Sequence, residues 1–133
     1  MPFNAAKRLM DYSGKCARLH GYRHVVEATF IPAREQDTTM VADFYRLKAL
    51  LGDWLEAHWD HNVILNASDV ALGTAIAELA GQEIFYLPTD PTAEAMAAYL
   101  LHSVFPGLFA PEGVQCIRVR LYDDSESFVE VTL

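Results

Sequence analysis

The sequence predicts an α+β domain in which an antiparallel sheet carries helices on one face. Segments rich in β-branched and aromatic residues lie at positions 22–31 and 114–121, towards the two ends of the chain. Between them, apolar residues recur at three- and four-residue spacing, which indicates an amphipathic helix. The 133 residues are about what one core uses, and no linker or repeat divides them, so we predict a single domain over 1–133.

The first half of the chain is predicted to be strand, strand, helix. The strand over 22–31 ends at Pro32, and the polar residues 33–39 form a hairpin-like connection to an extended piece at 40–43. Asp43 stands at the N-cap of the helix, where its charge also complements the helix dipole. The apolar positions of that helix are Phe44, Leu47, Leu50, Leu51, Trp54 and Leu55.

The second half begins with a turn-rich piece after Asp60 and His61, with a short apolar centre. Four further elements follow. They are a helix over 69–79 capped by Ser68 or Asp69 and stopped by Gly81, a short strand over 83–87, a helix over 93–104 ended by Pro106 and Gly107, and a hairpin of strands 114–121 and 128–133.

Composition excludes several classes of function. A net charge of −8 argues against a nucleic acid or an anionic membrane as partner, because both require a basic face. No apolar run reaches the roughly 18 residues that span a bilayer, and we expect no secretory signal, because no long apolar stretch follows the charges near residue 8. Cys16 and Cys116 have no nearby partner, which indicates free thiols in a reducing compartment and hence a cytoplasmic protein. A hydrophobic content of 52% leaves apolar surface that an oligomer would cover.

Three short segments carry candidate chemistry. Cys16 lies among Lys15, Arg18 and His20, and such positive surroundings favour a thiolate, although a small buried thiol is the alternative interpretation. Asp60 precedes His61, so a carboxylate is placed to orient an imidazole, or the dipeptide simply ends a helix. Thr92 and Glu94 either serve a ligand or cap a helix and complement its dipole. The segments are Lys15–Tyr22, Asp60–His61 and Pro91–Glu94.

Five motifs in order resemble the successive signatures of the 6-pyruvoyltetrahydropterin and 6-carboxytetrahydropterin synthase family. The resemblance runs from Phe3 to Glu94 by motif and to the C-terminus by strand pattern. The motifs are Phe3-Asn4-Ala5-Ala6-Lys7, Lys15-Cys16-x-x-Leu19-His20-Gly21-Tyr22, Met40-Val41-Ala42-Asp43-Phe44-x-x-Leu47-Lys48, Asp60-His61-x-x-x-Leu65-Asn66 and Pro91-Thr92-Ala93-Glu94.

The resemblance implies the tunnelling fold, a four-stranded antiparallel sheet with two helices on one face that assembles into trimeric barrels and commonly hexamers. It implies a carbon–oxygen lyase that removes triphosphate from 7,8-dihydroneopterin triphosphate. The product is then 6-pyruvoyltetrahydropterin or 6-carboxytetrahydropterin, the second of which feeds queuosine biosynthesis. Carried over by position, Cys16 with Asp60 and His61 moves protons, and Thr92 and Glu94 contact the pterin.

The resemblance also implies a zinc ion held by three histidines, and here the sequence departs from the pattern. Those positions are Lys7, His20 and Tyr22, so His20 alone is retained and zinc is not expected. Two hypotheses follow. In the first, the Lys7 ammonium occupies the place of the metal and contacts the substrate as an oxyanion develops, or it pairs with a carboxylate instead. In the second, a rebuilt zinc site uses Cys16, His20 and His24.

A second departure lies in the C-terminal hairpin. By alignment, Tyr122 stands where the family has a glutamate that anchors the pterin, and Asp123 or Asp124 replaces it if the strand register shifts. Two functions therefore remain. One is a zinc-independent lyase of the pterin synthase type. The other is a non-catalytic relative whose barrel binds a pterin, a purine-like molecule or a protein.

The N-terminal third carries a local basic cluster despite the acidic total. It either receives a triphosphate or forms a solvated basic face. Its members are Lys7, Arg8, Lys15, Arg18 and Arg23.

Overall fold

The computed structural model describes residues 1–35 and 39–133, and this part of the chain contains one six-stranded mixed sheet. The order of the strands across the sheet is β4-β3-β1-β2-β5-β6. The strands are β1 (Pro2–Lys7), β2 (His20–Pro32), β3 (Asn62–Asn66), β4 (Ile84–Leu87), β5 (Val114–Tyr122) and β6 (Phe128–Thr132).

The α+β class is confirmed, but the sheet has six strands rather than four. Strands β1, β2, β5 and β6 form an antiparallel sheet of four. Beyond β1, the short strands β3 and β4 extend that sheet through parallel pairings. Parallel neighbours need a crossover connection, and helices provide it before each of these two strands.

Sequence patterns missed two strands and predicted one that is absent. β1 contains Asn4, Ala5 and Ala6, which have low strand propensity, and six paired positions along β2 hold it in the sheet. β3 lies in the segment interpreted as turn-rich. The extended piece expected at 40–43 belongs to no strand, and the connection expected over 33–39 lies partly outside the described residues.

The longer helices follow the predictions closely. α1 (Phe44–His58) begins at Asp43, whose carboxylate accepts a hydrogen bond from the Tyr45 N–H at 2.8 Å. α2 (Val70–Ala80) ends at Gly81, whose left-handed backbone (φ 62°) suits glycine. His58 is the last residue of α1, and His102 is exposed.

The third helical region extends further than predicted. α3 (Ala93–Tyr99) continues through a π-helical turn at Leu100–Val104 into α4 (Phe105–Phe109). The prediction that Pro106 ends this helix is wrong. Pro106 occupies the first turn of α4, directly after the π-helical turn, and the helical region continues past it to Phe109.

The hydrophobic core lies between one face of the sheet and the helices α1, α3 and α4. Helix α1 contributes Leu47, Leu51 and Leu55, which pack in the same cluster as Phe3 and Val26 of the sheet. α2 is placed differently. Phe85 of β4 contacts Trp54 and Trp59 on the core side, so the next residue, Tyr86, points to the other face, where it meets Gly73 of α2.

The contact between α2 and β4 depends on a glycine. A Cβ added at Gly73 would overlap the Tyr86 Oη, so we expect Gly73→Ala to lower the free energy of unfolding by about 1–2 kcal/mol. Adding Tyr86→Phe should recover part of that loss. Gly107→Ala is the matched control, because an added Cβ there meets nothing within 4 Å. Urea unfolding measures all three, and equal stability of Gly73→Ala and wild type would contradict this packing.

No helix among the described residues is long and apolar enough to cross a membrane.

Candidate functional site

A surface pocket of about 280 Å³ brings together most of the residues that the sequence singled out. It lies where the end of β1, the start of β2, the start of α3 and the β5–β6 hairpin meet. The predicted site residues in its lining are Lys7, Cys16, His20, Thr92 and Glu94, and the lining also includes Tyr22, Asp123, Ser127 and Phe128.

A larger cleft of about 850 Å³ lies between α4 and β5 and contains none of the predicted site residues. Phe105, Pro106 and Val114 belong to its mostly apolar lining, and His102, Arg34 and Glu35 lie at its edge. We locate the candidate site in the smaller pocket, because the thiol, imidazole, ammonium and carboxylate groups converge there.

Strand register places the first group of side chains. Lys7 is directly opposite His20, and Ala5 is opposite Tyr22, so residues 7, 20 and 22 project from the same face of the sheet. The connection between β1 and β2 folds back beside them. A 3₁₀ turn at Lys15–Ala17 and a hydrogen bond of 2.9 Å from the Leu9 N–H to the Cys16 carbonyl hold Cys16 at the pocket.

Lys7 is the charged residue at the floor of the pocket. Its side chain is 4% exposed, and its ammonium donates to both carboxylate oxygens of Asp123, at 2.9 and 3.1 Å. The fully buried His24 lies with its Nδ1 3.0 Å from the same carboxylate and 3.2 Å from the Tyr122 carbonyl. Because both neighbours are acceptors, Nδ1 carries the proton of the His24 ring.

Burial and neighbouring charges shift the pKa of the Asp123 carboxyl group in opposite directions. Burial alone would raise the pKa of its carboxyl group, but the hydrogen bond from His24 and the charge and hydrogen bond of Lys7 lower that pKa below its ordinary value. Asp123 is thus an ionised partner for two buried bases. Sequence reasoning missed this role and treated Asp123 only as a substitute for a pterin-anchoring glutamate.

Asp124 is also engaged, since it accepts hydrogen bonds from the Glu126 and Ser127 N–H groups in the β5–β6 turn. Both aspartates of the hairpin therefore have partners within the fold, and of the two only Asp123 lines the pocket. Glu94, in the first turn of α3, has no hydrogen-bond partner among the described residues and lines the pocket. Its neighbour Thr92 caps α3 by accepting from the Ala95 N–H at 3.1 Å.

Tyr22 and His20 differ in what they offer a ligand. Burial, together with the charges of Cys16, Asp123 and Asp124, raises the pKa of the Tyr22 phenol, which therefore stays protonated as a hydrogen-bond donor. His20 Nδ1 donates to the Arg18 carbonyl at 2.6 Å, which leaves the lone pair on Nε2.

Asp60 and His61 form the predicted pair, with the His61 Nδ1 2.9 Å from Asp60 Oδ2. The Asn4 N–H and the neighbouring His61 lower the pKa of the Asp60 carboxyl. The pair lies away from the pocket that holds Cys16. His61 lines a shallow depression with Asn4, Ala6 and Gly21, which alternate with the core-facing residues and so lie on the opposite face of the sheet.

The basic cluster is partly neutralised. Lys7 is paired with Asp123, and Arg8 forms a two-point ion pair with Asp69, which is 3% exposed. That pairing explains why Asp69 makes no capping hydrogen bond although it stands at the start of α2. Lys15, Arg18 and Arg23 have no ion pair among the described residues, but none of them lines the pocket, and Arg23 lies opposite Asn4 on the other face of the sheet.

The donor set does not fit a catalytic zinc ion. Zinc requires about three lone-pair ligands and an open position. Of the three corresponding residues, Lys7 presents an ammonium and Tyr22 a protonated phenol, so only His20 offers a lone pair. The alternative set of Cys16, His20 and His24 is not assembled either. His24 is fully buried and committed to Asp123, and no group of three possible ligands exists among the described residues.

Comparison with known proteins agrees with this architecture. The family described as 6-pyruvoyl tetrahydropterin synthase matches residues 1–133. A 6-carboxy-5,6,7,8-tetrahydropterin synthase of Rickettsia typhi is 36% identical over 129 residues, covering 97% of this chain and 94% of the relative. A protein of the same name from Synechocystis sp. is 34% identical over 129 residues, covering 90% and 86%.

Solved structures share the fold at lower identity. An uncharacterised protein from Wolinella succinogenes superimposes with a TM-score of 0.82 at 19% identity, covering 99% of this chain and 94% of that one. The 6-pyruvoyl tetrahydropterin synthase of Plasmodium vivax gives 0.68 at 16% identity, covering 98% and 90%. The tunnelling-fold prediction is confirmed, and the chain belongs to the 6-pyruvoyl tetrahydropterin synthase family.

Proposed function

We propose that this protein is a carbon–oxygen lyase of the pterin synthase type that acts on 7,8-dihydroneopterin triphosphate, or a related pterin, without zinc. The observation that carries the proposal is the convergence of Cys16, His20, Thr92 and Glu94 in one pocket. Relatives with 34–36% identity over most of the chain are named 6-carboxy-5,6,7,8-tetrahydropterin synthases, which favours that product.

The proposal assigns a role to the thiol of Cys16, to the carboxylate of Glu94 and to two basic residues. The Cys16 thiolate takes a proton from a side-chain carbon of the pterin, and triphosphate leaves with the electrons of its C–O bond. Glu94 accepts hydrogen bonds from the N–H groups of the pterin ring beside Thr92. Lys15 and Arg18, on the segment that carries Cys16, attract the triphosphate. The reaction takes place in the cytoplasm, as the free cysteines predict.

Self-association into a trimer or hexamer is part of the proposal, because one chain does not bring Asp60 and His61 to Cys16. Exposed apolar side chains support association. Phe44 is 76% exposed, Tyr45 86% and Leu79 89%. In a barrel, the sheet edges of neighbouring copies pair with one another. This pairing places the sheet face that carries His61 in one copy near the pocket of another copy, so His61 acts on the Cys16 of that neighbouring copy.

The central test is turnover by metal-depleted protein. Incubated with 7,8-dihydroneopterin triphosphate and a chelator, the wild type should release triphosphate and a tetrahydropterin that mass spectrometry identifies. Cys16→Ala should lower the rate at least about 100-fold, because it removes the base. Cys116→Ala is the matched control, since Cys116 is buried in the core and lies outside this pocket.

Full activity of Cys16→Ala would contradict the assignment of the base. A second candidate function, a non-catalytic binding scaffold, is favoured by the position of Asp60 and His61 away from Cys16. It predicts that the wild type binds a pterin or purine-like ligand at the pocket and releases no triphosphate in the same experiment.

A further inference from the structure

The ion pair between Lys7 and Asp123 includes one of the three residues that correspond to the family's metal ligands. Lys7 replaces one of these residues and Tyr22 another, and both point into the pocket from adjacent strands. The Lys7 Nζ lies 5.7 Å from the centre of the Tyr22 ring, and the Tyr22 ring contacts the His20 and His24 rings edge-on, at 5.1 and 5.7 Å.

The pair is tied into the fold by more than its own two residues. Asp123 arrives from the end of β5, 116 residues along the chain from Lys7, and His24 donates to it from the neighbouring strand. Lys7 and His24 both donate to Asp123, and this hydrogen-bonded group joins β1, β2 and the end of β5. It therefore fixes the ammonium in place. A surface lysine would instead sample many rotamers, because it gains little from a single exposed partner.

The hydrogen-bond count leaves the ammonium able to bind a ligand. A lysine ammonium has three N–H donors, and the two Asp123 oxygens account for two of them. The third N–H and the Tyr22 hydroxyl belong to side chains that line the pocket, and neither has an acceptor among the described residues. This combination suits an acceptor oxygen on the ligand, such as a hydroxyl, carbonyl or carboxylate, and it repels a divalent cation.

We propose that the Lys7 ammonium, fixed by Asp123, is an internal substitute for a metal ion. Lys7 and Tyr22 exclude zinc from the pocket because they fill two ligand positions without offering a lone pair, and together they supply the hydrogen bonds that hold a ligand oxygen. The role toward the ligand rests on the proposed function. The exclusion of zinc does not rest on it, because metal binding is measured without any substrate.

Metal binding gives the first test. Wild-type protein titrated with Co²⁺, and separately with Zn²⁺, should bind neither metal in stoichiometric amounts. The double variant Lys7→His/Tyr22→His presents an imidazole at each of positions 7, 20 and 22. It should bind about one metal ion per chain and give the absorption of tetrahedral Co²⁺. The single variant Lys7→Gln removes the ammonium but adds no ligand, so it should still bind none.

Either of two results would overturn the exclusion of zinc. One is a zinc ion retained by the wild type at one per chain after dialysis without chelator. The other is a folded double variant, verified by circular dichroism, that binds no metal. If the double variant does not fold, the wild-type titration still decides the point.

Ligand binding gives the second test, with neopterin as a fluorescent probe. Lys7→Gln and Tyr22→Phe should each weaken neopterin binding by about tenfold or more, which is the usual effect of losing one hydrogen bond to a charged or buried partner. His102→Ala is the matched control and should leave it unchanged, because His102 is exposed and lines the separate cleft between α4 and β5. Equal affinity of Lys7→Gln and wild type would overturn the ligand role. A wild type that does not bind neopterin at all would instead overturn the proposed function and leave the metal result standing.

Discussion

Co-expression of the Cys16→Ala and His61→Ala variants is expected to restore turnover that neither variant has alone. Cys16 and His61 lie on opposite faces of the sheet within one chain, so a site that uses both needs two copies. In a mixed assembly, a site is complete where the copy with intact Cys16 meets the copy with intact His61. Random mixing in a head-to-tail ring makes about a quarter of the sites complete.

The measurement compares oligomers purified through two different tags, one on each variant, with the two single-variant oligomers. The matched control co-expresses Cys16→Ala with Glu94→Ala, two changes in the same pocket. That mixture should stay inactive, because every pocket then carries one of the two changes. Restored activity in the control, or none in the mixed Cys16 and His61 oligomers, would show that the sites are not shared between copies in this way.

Asp123→Ala is expected to destabilise the protein by about 3 kcal/mol, because it leaves the buried Lys7 ammonium without its anionic partner. The Asp123 side chain is 29% exposed, so some water reaches the site, and we expect the lower end of the range for broken buried pairs. Lys7→Met should lower the free energy of unfolding by less than Asp123→Ala does, because it removes the buried charge itself and leaves Asp123 bonded to His24. Urea unfolding at pH 7 measures both changes.

Two comparisons make this prediction specific. Glu112→Ala breaks the exposed pair with Arg46, whose side chain is 58% exposed, and should cost less than about 1 kcal/mol. The double variant Lys7→Met/Asp123→Ala should cost less than the sum of its two parts, because the charges are coupled. Additive effects in the double variant would mean that the ion pair contributes nothing measurable to stability.

The same pair predicts a pH dependence with a definite sign. The folded-state pKa of Asp123 is lowered, so its carboxylate stabilises the fold fully above its unfolded pKa of about 3.9. That contribution is lost as the pH falls from there through the folded-state pKa. The stability difference between wild type and Asp123→Ala should therefore be constant near neutral pH and shrink below about pH 4.

Local sequence patterns predicted the helix ends correctly where residues close in sequence determine the structure. Asp43 caps α1 through its own backbone neighbour at position 45, and Gly81 ends α2 because glycine tolerates a left-handed backbone. The same reasoning failed at β1 and β3. β1 contains residues of low strand preference, and in β3 two asparagines flank a short apolar centre that looked like a turn-rich piece. Partners distant in sequence hold both strands in the sheet.

Pro106 illustrates the same limit in a helix. Proline commonly ends helices, and the sequence alone favoured that interpretation. In the fold, Pro106 stands in the first turn of α4, after a π-helical turn that has already interrupted the regular hydrogen bonding. The buried side chains of Phe105 and Phe109 keep this last segment against the sheet. Packing therefore decided where the helix ended.

The sequence by itself determined the chemical identity of the site. It showed a thiol at Cys16, a capping threonine and a carboxylate at Thr92 and Glu94, and non-ligands in place of two histidines at Lys7 and Tyr22. Only the tertiary structure decided which of these groups meet. It joined Lys7 to Asp123 and placed His61 on the far face of the sheet, because both outcomes depend on strand register and on which side of a pleat a residue occupies.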